Sequence, residues 1–187
     1  MESRPSKARL FVALDLPAEA REALVDWRRE LDHPDVRLVA PEALHVTLVF
    51  LGHLPEEEIP RIAEAIEPPP AEAPVLTAKG VKPVPPRRPR LFALDLADEG
   101  GRAGRIHTSV SDALEALGLY EPEKRPFWPH VTLARVRKGA RVGRIDAPEP
   151  PSKPWVAEAV TLYRSRLSPK GASYEALHRV ALSSPHR

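Results

Sequence analysis

Arg9-Leu10-Phe11-Val12-Ala13-Leu14-Asp15-Leu16 returns later in the chain as Arg90-Leu91-Phe92-Ala93-Leu94-Asp95-Leu96. Each copy is followed, at a similar distance, by the same tetrapeptide, His45-Val46-Thr47-Leu48 and His130-Val131-Thr132-Leu133. Leu10, Val12, Leu14 and Leu16 alternate with less apolar neighbours, the period of a strand. Seven His and five Thr in 187 residues would give about 0.2 His-x-Thr by chance, yet two occur inside identical tetrapeptides. The chain therefore reads as two similar halves.

The same pattern extends on either side. Pro17 suits the first turn of a helix, and Ala20, Leu24, Trp27 and Leu31 follow at helical spacing, ending near Pro34. Leu44 to Leu51 is rich in β-formers, and a helix is expected around Arg61 to Glu67, its start blurred by Pro55 and Pro60. In the second half, Leu91 to Leu96 predicts a strand. Ile106, Val110, Leu114 and Leu117 predict a helix closed by Gly118. Val160, Leu162 and Arg164, a turn at Ser168-Pro169-Lys170-Gly171 and a resumption at Tyr174 predict a β-hairpin. Pro68-Pro69-Pro70 and the run from Pro83 to Pro89 read as rigid connections. The expectation is an α+β fold, one bilobal domain over 1–187. Two pseudo-symmetric lobes, each an antiparallel sheet with flanking helices, face a central cleft.

Composition narrows the function classes. A chain of 187 residues without a bilayer-length apolar stretch or a cysteine predicts a soluble cytoplasmic protein without disulfides or thiolate metal sites. A net charge of +2 is too small to advertise duplex DNA binding. Arginine outnumbers lysine 21 to 7, and guanidinium suits bidentate phosphate recognition, although codon bias produces the same excess.

On a strand, residues i and i+2 share a face, so His45 and Thr47 project together while Val46 and Leu48 anchor the other side. Two such strands related by a pseudo-two-fold axis would bring two imidazoles and two hydroxyls into one cleft. That set suits a phosphodiester. One neutral imidazole takes a proton from water, a protonated one gives a proton to the leaving oxygen, and threonine hydroxyls bond the nonbridging oxygens. Arg135, five residues after His130, is placed to offset charge in the transition state. This chemistry requires no metal. A single half-buried strand with His and Thr turned to solvent would look the same, and the doubling argues against that reading. A metal site at His45, His130 and His53 finds no carboxylate or third histidine at a recognised ligand spacing. His33, His107, His178 and His186 carry no motif and read as surface or structural.

The loop from Glu121 to Pro129 delivers Phe127 and Trp128 next to His130, where either could stack a nucleobase, although such rings more often pack a core. Arg87, Arg88 and Arg90 could meet an RNA backbone, or form a solvated charge run.

With these residues in view, the chain resembles the two-histidine (2H) phosphoesterases, specifically the RNA 2′,3′-cyclic phosphodiesterases formerly called 2′-5′ RNA ligases. The resemblance runs nearly end to end. It includes both His-Val-Thr-Leu motifs, Arg9 to Pro17, Phe50-Leu51-Gly52, Arg88-Pro89-Arg90, Pro122 to Arg135, Leu162 to Ser165, Gly171 and Tyr174. It implies a bilobal α+β fold and metal-independent, cofactor-free opening of a 2′,3′-cyclic phosphate to a 2′-phosphate. In that family the first histidine is usually the proton donor and the second the acceptor. By resemblance, then, His45 protonates the leaving 3′ oxygen, His130 activates water, and Thr47, Thr132 and Arg135 hold the phosphate. Relatives often carry a basic residue where this chain has Val49, a departure that bears on substrate affinity rather than chemistry. The expected partner is RNA with a 2′,3′-cyclic phosphate end, or a cyclic nucleotide, bound by a monomer. Ligation to a 5′-hydroxyl is the rival activity, and a non-catalytic RNA-end or nucleotide-binding module the rival class.

Overall fold

The computed structural model describes residues 6–67, 72–143, 145–169 and 171–184. The first copy of the repeat forms β1 (Lys7–Asp15), followed by α1 (Ala18–Trp27), which Pro17 caps and a short 3₁₀ turn over Arg28–Leu31 extends. Then come β2 (Val36–Leu38), β3 (His45–Pro55), α2 (Ile59–Ala65), β4 (Val75–Val84), β5 (Leu91–Asp98) and α3 (Arg102–Ala116). The chain closes with β6 (His130–Val136), β7 (Trp155–Val156), β8 (Ala159–Ser168) and β9 (Gly171–Ala181). Among the described residues no helix is long and apolar enough to cross a membrane.

The strands form one curled antiparallel sheet in the order β7-β4-β5-β6-β3-β1-β8-β9, with β2 on β6. The sheet's two halves, β7-β4-β5-β6 with β2 and β3-β1-β8-β9, each hold one motif strand and one repeated segment, the C-terminal β8 and β9 crossing to the half of the first motif and β2 to that of the second, and they meet at the β3–β6 seam, where Val46 pairs with Val131. β1 and β5, the repeated segments, each flank the motif strand of their own half. The expected mixed α and β architecture is present, with its two lobes joined through this seam.

Packing explains the alternation. Val46 and Val131 are fully buried and join Leu24, Ile62, Ile106, Val110 and Leu114 from the three helices in one apolar cluster. Each such side chain removed from water contributes about 1.5–3 kcal/mol. The sheet face bearing the motif valines is therefore fixed against the helices, and the His and Thr side chains must take the other face.

Two sequence expectations shift. The helix expected over 61–67 runs Ile59–Ala65, because Pro60 falls in its first turn, where a missing N–H costs nothing. Pro83 lies within β4 rather than in a loop, paired opposite Phe92. Only the first residues of β4 have β7 as a second neighbour, so this end is an open edge, where proline is tolerated. The C-terminal hairpin forms with Ser168 opposite Gly171, while Lys170 of its expected turn and the Pro68–Pro70 connection lie outside the described residues.

Candidate active site

The seam sets the geometry. Antiparallel pairing of Val46 with Val131 places His45 across from Thr132 and Thr47 across from His130. The two motifs thus form a crossed square about a local two-fold axis, and the His45 Nε2 to Thr47 Oγ1 separation is 3.0 Å.

A second symmetric feature follows immediately. In β3 the pairing with β1 skips Leu48, since Ala13 opposes Thr47 and Val12 opposes Val49. In β6 the pairing with β5 skips Leu133 in the same way, with Ala93 opposite Thr132 and Phe92 opposite Ala134. Each motif leucine is a β-bulge, and a bulge reverses the parity of the residues beyond it. Strict alternation would turn the fifth residue after each histidine away from the cleft. The bulges turn it in. Those residues are Phe50 and Arg135, and both line the same pocket of about 110 Å³ together with Arg9, His45, Thr47, Thr132 and Tyr174. His130 is not among the side chains lining this pocket; it borders it through its place opposite Thr47.

The two histidines are held alike. His130 Nδ1 donates to the carbonyl of Trp128, two residues upstream, at 2.8 Å. His45 bonds the backbone of Ala43, also two residues upstream. With Nδ1 so engaged, Nε2 of each ring is left for the cleft. An aromatic ring stacks on each imidazole, Phe11 on His45 at 4.8 Å and Trp128 on His130 at 4.2 Å. The repeats also end in equivalent acids, because Asp15 pairs with His45 and Asp95 with His130.

Both acids are nearly buried and organise hydrogen bonds. Asp15 accepts from Thr161 Oγ1 at 2.7 Å, Tyr163 OH at 2.7 Å and Arg179 Nε at 3.2 Å. Burial and the bond to Asp15 push the Tyr163 phenol above its ordinary range, so it stays a donor. Asp95 accepts from Trp128 Nε1 at 2.7 Å and pairs with Lys82 at 2.7 Å. Burial opposes its charge, but the bonds from Lys82 and Trp128 outweigh this and hold the carboxyl below its ordinary range. Trp128 is thereby fixed with its ring on His130.

Burial pushes the His45 imidazole down to about 4; the charges of His130 and Arg135 act in the same direction, against the Ala43 bond and Asp15. His45 is therefore neutral at pH 7 before an anion binds. Its Nε2 then accepts from the Thr47 hydroxyl.

The structure brings His45, His130, Thr47, Thr132 and Arg135 together. It does not bring Phe127, whose ring stacks on His107 at 4.5 Å beside a different surface depression. His107 is itself structural, its Nδ1 bonding the Leu48 carbonyl at 2.9 Å and so bracing the first bulge. His53 stands opposite Arg9, well along β3 from His45. Val49 is 1% exposed and faces the core, so its departure from a basic residue leaves the pocket wall unchanged. Arg9 lines that wall instead, its guanidinium 4.6 Å from the Phe50 ring centroid. His186 lies outside the described residues.

Sequence reasoning missed Phe50, Arg9, Asp15 and Asp95 as members of the site. The repeated Leu-Asp-Leu was a usable signal for the acids. For Phe50 there was only its match in position to Arg135.

Comparison with known proteins places the chain in a family. The family model described as "LigT like Phosphoesterase" matches residues 14–92. The RNA 2′,3′-cyclic phosphodiesterase of Thermus thermophilus is 35% identical, the match covering 95% of this chain and 92% of the relative. That of Archaeoglobus fulgidus is 33% identical, covering 90% and 97%. The chain belongs to the LigT-like phosphoesterase family. Among solved structures, a Thermus thermophilus protein superposes with a TM-score of 0.82 at 33% identity, covering 95% of this chain and all of that one. Escherichia coli LigT complexed with 3′-AMP superposes at 0.79 with 27% identity, covering 96% and 100%. In this LigT-like phosphoesterase the two His-Val-Thr-Leu strands sit side by side on one continuous curled sheet.

Proposed function

We propose that this LigT-like phosphoesterase hydrolyses RNA 2′,3′-cyclic phosphate ends to 2′-phosphomonoesters by paired histidine acid–base catalysis, without a metal, as a cytoplasmic monomer. The observation that carries the reading is the crossed square of two tethered imidazoles and two threonines beside Arg135. The names of the relatives agree with it, and the complex of E. coli LigT with 3′-AMP is that of a similar fold with a nucleoside phosphomonoester.

Water attacks phosphorus as the P–O3′ bond breaks. His130 Nε2 takes the proton of the attacking water, and His45 Nε2 delivers one to the departing 3′ oxygen. Thr47, Thr132 and Arg135 bond the nonbridging oxygens, with Arg135 meeting the charge that grows in the transition state. For His45 to act as acid its imidazole must charge, and the phosphate anion favours that by placing a negative group against it. Phe50, turned into the pocket, 45% exposed and carrying the Arg9 guanidinium over its ring, offers an aromatic surface to the terminal base. Replacing Phe50 with alanine is expected to raise KM about tenfold or more with little change in kcat, from the value of base stacking. Steady-state kinetics on a nucleoside 2′,3′-cyclic phosphate checks this.

The low pKa of His45 favours a second allotment, in which His45 is the base and His130 the acid. A cyclic ester with sulfur in place of O3′ separates the two, because a thiolate leaves without a proton. Rescue of His45→Ala by this substrate would support His45 as the acid, and rescue of His130→Ala would support the reverse.

Either allotment uses a form holding one proton between the two rings. Adding a second proton abolishes activity, so the acidic limb of kcat/KM is expected where the free enzyme's His45 titrates, about 4. The bound anion raises that value, and the acidic limb of kcat is expected at higher pH. Rates measured from about pH 3.5 to 9 test this, and limbs that coincide would count against it.

The deciding assay is hydrolysis of a short RNA ending in a 2′,3′-cyclic phosphate, in EDTA, with the phosphate position of the product identified. A 2′-phosphate supports the reading; bound RNA with no turnover would favour a binding module.

A further inference from the structure

A second depression opens beside the catalytic pocket and shares four of its walls, Val39, Ala43, Arg135 and Tyr174. It encloses about 130 Å³ and is completed by Arg37 and Gly171. No carboxylate lines it. Arg37 comes from β2, directly opposite Arg135 on β6. Residues directly opposite in an antiparallel pair share a face, so both guanidiniums lie on the side of the sheet that carries His130 and Thr132. Arg37 lies against the C-terminal hairpin, where a Cβ on Gly171 would come within 3.6 Å of the guanidinium. Among the described residues neither Arg37 nor Arg135 is paired with a carboxylate. Among the described residues Arg61, Arg102 and Arg164, by contrast, each pair with a glutamate.

Two unpaired guanidiniums facing each other across a strand pair repel, and such an arrangement is stabilised by an anion between them. Arg135 belongs to both depressions. An anion held by Arg37 would therefore sit next to the one held by His45, Thr47 and Thr132, within one nucleotide along a chain. We propose that Arg37, with Arg135, forms a subsite for the phosphate on the 5′ side of the terminal nucleotide. The enzyme would thereby favour RNA ends, and 5′-phosphorylated nucleotides, over plain nucleoside cyclic phosphates. The proposal builds on the reading of the neighbouring pocket as the cyclic phosphate site.

The test compares adenosine 2′,3′-cyclic phosphate with its 5′-phosphorylated form, which differ only in the second phosphate, in wild type, Arg37→Gln and Arg37→Lys. Wild type is expected to prefer the 5′-phosphorylated substrate about tenfold in kcat/KM, the scale of one charge-assisted contact. Arg37→Gln should bring that ratio towards one, and Arg37→Lys should retain part of it. A wild-type ratio of one would overturn the subsite, as would an Arg37→Gln that slows both substrates equally, which would mark a structural role. Turnover of neither substrate by wild type would overturn the cyclic phosphate reading itself, a result that stays distinct because the plain nucleoside lacks the second phosphate.

Discussion

Substituting either His45 or His130 with alanine is expected to lower kcat on a 2′,3′-cyclic phosphate end by about 10²- to 10⁴-fold, the usual value of a positioned acid or base. The double variant should fall little further than the worse single one, because two groups acting in one proton relay fail as a unit. The geometry supports a large effect for both. Each ring is held by the backbone two residues upstream and covered by an aromatic ring, which fixes its position in the cleft. Single-turnover hydrolysis with substrate binding measured in parallel is the check, and it separates loss of chemistry from loss of affinity. Either variant retaining more than about a tenth of wild-type kcat would remove that histidine from the mechanism.

Substituting Asp15 with alanine is expected to destabilise the fold by about 3–5 kcal/mol, the cost of breaking a buried charged network by deleting one partner. Its carboxylate is the common acceptor for Thr161, Tyr163 and Arg179, and it stands opposite His45 in the β1–β3 ladder. Removing it leaves a fully buried threonine hydroxyl and the Tyr163 phenol without their acceptor. Urea unfolding monitored by tryptophan fluorescence measures the loss. Asp15→Asn keeps an oxygen for two of the donors and is expected to lose less. A change below about 1 kcal/mol for alanine would show that the network contributes little beyond packing. The same substitution should also lower activity, since Asp15 favours the charged form of His45.

The pseudo-two-fold arrangement explains why one local design serves two different tasks. Both motifs carry a histidine, a threonine, a bulged leucine and an inward-facing fifth residue. The second half places a cation, Arg135, at that fifth position and the first half an aromatic ring, Phe50, which the proposed function uses for the phosphate and the base respectively. The two halves could thus diverge at one position in function while keeping the same backbone. On this view a substrate lies across the seam with its phosphate between the strands.

The sequence by itself determined the doubled strand-and-motif plan, the α+β class, and the four His and Thr side chains that the seam brings together. These were legible because strand alternation and amphipathic helical spacing are local properties, and because an identical tetrapeptide in two equivalent places has little other use. It also named Arg135, though by nearness to His130 and not by direction. Tertiary structure alone decided which way that side chain points, since a bulge is a mismatch between two strands and leaves no mark on either one. The same holds for Phe50, which alternation would have buried on the opposite face from His45. The placement of Phe127 on His107 and of Trp128 on His130 has a related reason. Adjacency in sequence put them beside His130, but His107 and Asp95, 20 and 33 residues away from their respective partners, claimed the two rings. The pairing of Arg37 with Arg135 across nearly a hundred residues is likewise set by the register of β2 on β6. Composition and period specify what each strand is; only the register between strands specifies what each side chain meets.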